Sequence, residues 1–474
     1  MKNYKQFYIN GRWVDPVSDQ KMNVINPSNE QVCAQISIGN EADLNNAVAA
    51  ASEAFKTYAY SSREDRIEII QNIIQQYKLR YNDIADAISE EMGAPTALAV
   101  KSQAGSGLAH FQAIADVLKD YAFEKKQGVS IIKKEAVGVC GLITPWNWPM
   151  NQLACKVAPA LAAGCTLVLK PSEIAPLSAY VFSQVVDAAG LPAGIYNMLN
   201  GDGPGVGSAL SSHPLVDMVS FTGSTRAGSL VAQNAAPSVK RVAQELGGKS
   251  ANIILADADL EKAISRGAKE VFNNSGQSCN APTRMLVPKE LLAKAESIAS
   301  ATANSVVVGE ATDPATTMGP VISELQYNKI RGLIQAGIDE GAKLLCGGLD
   351  KPQACDKGYF VAPTIFSQVN NQMTIAREEI FGPVLAILPY DSLDQAIEIA
   401  NDTPYGLAGY IQGEDPKTLR YVADRIRAGN LNINGNSGDI NTPFGGCKQS
   451  GNGREWGVHG LNDFVEIKAI SGLN

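Results

Sequence analysis

The chain has 474 residues, 45% hydrophobic and 19% charged, with a formal net charge of -8. That length exceeds what one hydrophobic core serves, so two or three domains are expected, with the composition of a folded enzyme rather than a disordered chain. The acidic balance argues against a nucleic-acid partner, no window is apolar for long enough to cross a membrane, and the start "MKNYKQFYINGRWVDP" lacks an apolar signal region, so a cytoplasmic protein is expected.

The clearest element near the start is a helix expected over 61–92. Ser61 and Ser62 offer an N-cap, Glu64 and Asp65 suit the positive helix end, and Gly93 is a stop. Ile67, Ile70, Ile74, Tyr77, Tyr81, Ile84 and Ile88 form one apolar stripe at steps of three and four. From about residue 137, short apolar runs alternate with amphipathic helices. Strands are expected at 137–144, 166–170, 195–199, 218–222 and 240–244, and helices near 151–163, 176–189, 204–212 and 224–235. Such repeats imply a parallel sheet covered by helices, which binds ligands beyond the carboxyl ends of its strands.

The loops after the first four strands read "PWNWP", "KPSE", "NGDGPG" and "GSTRAG". Gly223 and Ser224 open a helix whose free N–H groups suit a phosphate. The spacing is not G-x-G-x-x-G, so each glycine turn alone reads as turn chemistry, and only the four together point to a nucleotide. Lys170 and Glu173 in "KPSE" suit sugar hydroxyls, and a carboxylate there favours NAD over NADP, although NADP stays open.

A second α/β unit is expected over 250–445, with strands at 284–288, 383–390 and 406–412 and helices at 258–272, 289–303, 324–340, 393–401 and 416–428. The tail 463–471 alternates like a strand without a partner in its own unit, which reads as an edge strand or as an arm pairing with another subunit.

The eight cysteines show no C-x-x-C pairing, so free thiols are expected. His110, His213 and His459 stand in unrelated contexts, which argues against a metal site. Cys140 and Cys165 lie in apolar strands and read as core, whereas Cys33, Cys346 and Cys355 sit near turns without an acid–base partner. Cys279 differs. It sits in the polar stretch "NNSGQSCNAPTR", expected to be an open and flexible loop. A thiol becomes a useful nucleophile beside a base or a positive charge. Glu245 in "QELGGK", after the fifth strand, is the candidate base, though alone it reads as an exposed loop carboxylate.

Seven motifs occur in order: "PWNWP", "KPSE", "FTGS", "QELGGK", "GQSC", "EEIFGP" and "PFGGCKQSG". With them the chain resembles the NAD(P)-dependent aldehyde dehydrogenase superfamily over essentially its full length. The resemblance implies a Rossmann-like α/β cofactor domain (1–117 and 137–247), a second α/β catalytic domain (248–448) and a small β oligomerisation arm (118–136 and 449–474). It implies Cys279 as the nucleophile, Asn147 and the Cys279 N–H as oxyanion donors, and Glu245 as the base that activates water against the thioester. Lys156 and Glu455 match residues of a proton path. Ile143, Trp146, Lys170, Ser172, Glu173, Gly203, Gly223, Ser224 and Leu246 fall at cofactor positions, and Glu379 and Phe381 match residues that hold the nicotinamide ribose and ring.

The matching substrate positions are Asn151, Gln152, Cys155, Asn280 and Phe444, beside the polar loop "NGNSGDIN" with Asp439 as its one charge. They read either as a general-purpose tunnel or as one for an aldehyde with a polar tail, and no arginine is present there for a carboxylate tail. A small aldehyde is thus the expected substrate and a homodimer or homotetramer the expected assembly. CoA-acylating relatives generally lack the glutamate that stands here as Glu245, and a non-catalytic relative would not need Cys279, Asn147 and Glu245 together.

Overall fold

The computed structural model describes residues 2–353, 355–436 and 438–473. Position 437 of the "NGNSGDIN" loop and the last residue of the tail lie outside them.

The five expected strands form a parallel run within an eight-stranded sheet, ordered Arg241–Glu245, Met218–Thr222, Val139–Ile143, Thr166–Lys170, Tyr196–Met198. The chain order reverses between Val139–Ile143 and Met218–Thr222, which is where such sheets open a crevice for a ligand. Helices Pro149–Ala163, Leu177–Ala188 and Thr225–Ala235 match expectation, and the 204–212 stretch opens with a π turn, Gly203–Gly207, before Ser208–Ser212.

A seven-stranded sheet carries the second unit. Its centre contains the expected Arg284–Pro288, Val384–Tyr390 and Ala408–Gln412. Four strands were not foreseen: Ala251–Ile254, Lys343–Cys346, Thr364–Ser367 and Asn430–Ile433. Each has four residues, too few for periodicity to register. The helix expected at 416–428 stops at Pro416–Ala423.

Instead of one helix over 61–92 there are two, Arg63–Leu79 and Tyr81–Met92. The break is Arg80 (φ -106°, ψ 15°), whose side chain is tied to Asp83 and, at 2.9 Å, to Gln184. A one-residue break leaves the apolar stripe almost in phase, so the pattern does not reveal it. The caps are as expected. Ser62 and Asp65 form a reciprocal capping box, and Gly93 closes the second helix at φ 74°.

The tail strand Val465–Ser471 pairs antiparallel with Ser130–Ala136, which pairs with Glu124–Gln127. The tail therefore has a partner in its own chain and forms one edge of a three-stranded sheet. Phe464 is core rather than an unpaired apolar group, while Ile467 is 71% exposed. Among the described residues no helix is long and apolar enough to cross a membrane, and no cluster of His, Cys, Asp and Glu suits a metal.

Candidate active site

The loops after Val139–Ile143, Met218–Thr222 and Arg241–Glu245 meet the Cys279 segment at a cavity of about 200 Å³. Its lining includes Trp146, Asn147, Gln152, Gly223, Ser224, Leu246, Cys279, Glu379 and Phe381, so one cavity unites the expected nucleophile and oxyanion donor with several expected cofactor residues. Ile143 and Ser172 are buried and do not line it, nor do Lys170, Glu173 or Gly203, the last of which lies in the π turn.

The Cys279 loop is not flexible or open. Asn273 is exposed, but Asn274, Ser275, Gly276 and Gln277 are buried, and Ser278, Cys279 and Asn280 are only partly exposed. Asn274, Ser275 and Gly276 take left-handed φ values of 52°, 56° and 74° in succession, a strained turn that needs bracing. Hydrogen bonds supply it. Gln277 Nε2 donates to Asn274 O (3.1 Å) and its Oε1 accepts from Ile322 N–H (2.9 Å). Ser275 Oγ donates to Gly319 O (2.8 Å). Gly276 has no room for a side chain, since a Cβ there would lie 2.0 Å from Gly382 O. The polar residues that suggested an exposed loop are satisfied internally, as buried polar groups must be.

Asn147, on the turn before helix Pro149–Ala163, is locked to the same loop. Its Nδ2 donates to Gln277 O (3.0 Å), and its carbonyl accepts from Asn274 Nδ2 (2.9 Å) and Gln103 Nε2 (3.1 Å). A primary amide has two N–H donors, so one remains for a ligand. Gln103, Asn274 and Gln277 escaped the sequence reading, because isolated amides far apart in the chain carry no signal before folding.

Glu245 is the last residue of its strand and 5% exposed, not a surface carboxylate. Neither carboxylate oxygen has a hydrogen-bond partner among the described residues. Burial, with the charge of Glu455 adding to it, pushes its pKa well above the carboxylate range against the pull of Lys156 and Arg454. The two glycines after it permit close approach: a Cβ on Gly247 would lie 2.5 Å from Glu379 Oε2, and one on Gly248 would lie 2.4 Å from Cys279 O. The Cys279 thiol is also pushed up, by burial and then by Glu379, Glu245 and Glu455, so the resting sulfur is protonated.

Behind Glu245, Lys156 and Glu455 form a buried ion pair. Burial pulls the lysine down, but Glu455, with Cys155 and Glu245, more than offsets this and its pKa is raised. Cys155 belongs to this group and does not line the cavity: it is 2% exposed and its thiol lies 3.2 Å from Glu455 Oε2.

The other substrate positions separate. Gln152 lines the cavity with Oε1 unpartnered. Asn151 bonds His110, a buried imidazole whose pKa is pushed down to about 3 by burial, so it is neutral. His110 packs 5.5 Å from Trp456, which stacks on Phe444 at 4.7 Å. Asn280 lies in a second cleft, described below.

The features for a dinucleotide fit one. Ser224 caps helix Thr225–Ala235, leaving first-turn N–H groups towards the cavity rim. Lys170 and Glu173 pair at 3.0 Å. Glu379 accepts from Gly248 N–H (2.9 Å), and Phe381, at φ 59°, sets its ring edge-on to Trp146 at 5.3 Å, framing a slot beside Cys279.

Known proteins agree. The aldehyde dehydrogenase family model matches residues 13–470. A 3-succinoylsemialdehyde-pyridine dehydrogenase of Pseudomonas sp. is 53% identical over all of this chain and 99% of its own. Aldehyde dehydrogenase C of Pseudomonas syringae, a Cys-to-Ala mutant in complex with NAD+ and octanal, superposes with a TM-score of 0.98 at 50% identity, covering 98% of this chain and 96% of that one. A Mycobacterium tuberculosis aldehyde dehydrogenase complexed with NAD+ gives a TM-score of 0.96 at 37% identity, over 100% and 99% of the two chains. With this fold and this cavity, the chain belongs to the aldehyde dehydrogenase family and is an NAD-dependent aldehyde dehydrogenase.

Proposed function

We propose that the enzyme oxidises aldehydes of broad scope, including those with polar, uncharged tails, to free carboxylic acids, with Cys279 as nucleophile and Glu245 as base. The observation that carries this is the single cavity shared by Cys279, Asn147 and the loop that follows Glu245. Cys279 Sγ loses its proton to solvent and forms a bond to the aldehyde carbon, which leaves Glu245, whose raised pKa suits it to receive a proton, for the later step. The new oxyanion is held by the free Asn147 N–H and by the Cys279 N–H, which has no partner among the described residues. Preorganised donors of this kind account for roughly a hundredfold in rate. A bound NAD+ supplies the acceptor for the hydride that leaves the carbon, so that a thioester remains on Cys279. Trp146, Gly223, Ser224, Glu379 and Phe381 would hold it, with Lys170 and Glu173 at the ribose end.

Glu245 then takes a proton from water, the hydroxide adds to the thioester carbon, and the C–S bond breaks. The acid leaves and the thiol is restored. Lys156 and Glu455 offer a buried route for the proton taken up by Glu245. Water as acyl acceptor, rather than CoA, follows from a buried carboxylate poised beside the nucleophile. The relatives' names, one a pyridine semialdehyde dehydrogenase and one bound to octanal, support tolerance of both polar and apolar tails.

We assign the chain to a cofactor unit (1–117 and 137–247), a catalytic unit (248–448) and an arm (118–136 and 449–474). The arm's exposed tail strand suits pairing between copies in a dimer or tetramer. The test is stopped-flow with Glu245→Gln. It should release one equivalent of NADH per site and then turn over about a hundredfold to ten-thousandfold more slowly than wild type. Loss of the first equivalent would assign Glu245 to thiol activation alone.

A further inference from the structure

Cys279 lines one cavity, and its two chain neighbours line another. The one described above holds the cofactor features. The second, about 230 Å³, is lined by Ser278 and Asn280 on either side of the nucleophile and by Trp148, Glu270, Asn273 and Tyr410, and it shares no residue with the first. Its walls are tied to the nucleophile's loop: Trp148 Nε1 donates to Ser278 Oγ (2.8 Å), and Tyr410 Oη donates to Asn280 O (2.9 Å).

Glu270 is its one acidic group, and no lysine or arginine lines it among the described residues. Glu270 is half-buried and makes no hydrogen bond or ion pair among the described residues. Arg266, one turn earlier on helix Leu260–Phe272, makes no ion pair with Glu270: it donates to Gln412 Oε1 (3.4 Å) and packs against Gly435 in the cleft wall, and its charge lowers the Glu270 pKa by less than burial raises it. A partly desolvated carboxylate without a partner, set among aromatic rings, is a receptor for positive charge or for hydrogen-bond donors, and it repels anions.

Resting on the assignment of Cys279 as nucleophile, we infer that this cleft receives the aldehyde's tail and that Glu270 determines specificity there, selecting cationic or hydrogen-bond-donating tails and rejecting carboxylate tails. The polar residues near Cys279 then serve discrimination by charge. A semialdehyde ending in a free carboxylate would meet Glu270 with only Arg266, behind Gly435, to offset it in part.

The test compares kcat/KM for hexanal, γ-trimethylammonio-butanal and adipate semialdehyde in wild type and in Glu270→Gln. The wild type should rank the cationic aldehyde above the carboxylate one by about tenfold or more, and Glu270→Gln should shrink that ratio by about tenfold. Reading ratios cancels any loss common to all three substrates. A second measurement needs no variant: pentyltrimethylammonium should inhibit wild-type hexanal oxidation competitively at lower concentration than hexanoate does. Equal ratios in the two proteins, or hexanoate as the better inhibitor, overturn the inference while leaving aldehyde oxidation at Cys279 intact. No turnover of any of the three aldehydes would sink the assignment of Cys279 and this inference with it.

Discussion

The Cys155 thiol lies 3.2 Å from Glu455 Oε2 while the other oxygen of the same carboxylate holds Lys156. A thiol has one proton, and the alternative acceptor, Gln152 O at 3.5 Å, is farther and uncharged, so the donation goes to Glu455. Cys155→Ala should therefore lower steady-state kcat several-fold while leaving the first NADH equivalent and the aldehyde KM nearly unchanged, and Cys155→Ser should restore kcat. An altered KM with kcat intact would return Cys155 to the substrate wall.

The raised Glu245 pKa has a stability consequence of definite sign. A carboxyl whose folded pKa lies above its unfolded value of about 4.3 favours folding below that value, and this contribution is lost as pH rises through the folded pKa. Glu245→Gln should accordingly raise Tm at pH 8, and the gap should close as the pH falls towards 4. A Tm gap independent of pH would mean that burial does not perturb this group. In the same direction, wild-type deacylation should fall away on acidification at a pH above the ordinary carboxylate range, because the base must be ionised to act.

Lys170 and Glu173 pair at 3.0 Å, which fixes the carboxylate that the proposed function assigns to the ribose end. Wild-type kcat/KM should favour NAD over NADP, and Glu173→Gln should narrow the preference by about tenfold by removing the repulsion of the second phosphate. Equal use of both cofactors by the wild type would count against this role.

Gly276→Ala puts a Cβ 2.0 Å from Gly382 O at a residue with φ 74°. Strain of about 1–3 kcal/mol is expected, seen as a lower Tm, and the displaced Cys279 should lose roughly a hundredfold in kcat. Unchanged kinetics would show that the strained turn does not position the nucleophile.

Truncating the tail tests assembly, provided that the cut spares the anchor. Arg241 donates to Asp463 O and Val465 O (2.7 and 3.0 Å), and Cys165 donates to Phe464 O (3.3 Å), so deletion from 463 would damage the core. Deletion of residues 467–474 removes only the exposed part of the strand. It should yield smaller species by light scattering, with a lower Tm and lower activity. A wild-type monomer of full activity at micromolar concentration would exclude the arm's role.

Local chemistry made much of this protein legible from its residues alone. Parallel strands announce themselves as apolar runs because both of their faces are buried, so Val139–Ile143, Thr166–Lys170 and Met218–Thr222 could be read directly, as could the loops at their ends. Caps such as Ser62 and Gly93 rest on single residues and were equally plain. What lay beyond reach depends on which distant groups meet. The Cys279 segment looked mobile because it is polar, yet Gln103, Asn147 and Ile322 satisfy it from separate parts of the chain. Glu245 looked exposed because it is charged, yet the fold buries it beside Lys156 and Glu455 and so gives it a base's pKa. Cys155 looked like tunnel lining, yet it packs against Glu455, because hydrogen bonding and burial are properties of the assembled neighbourhood, and no local pattern encodes them.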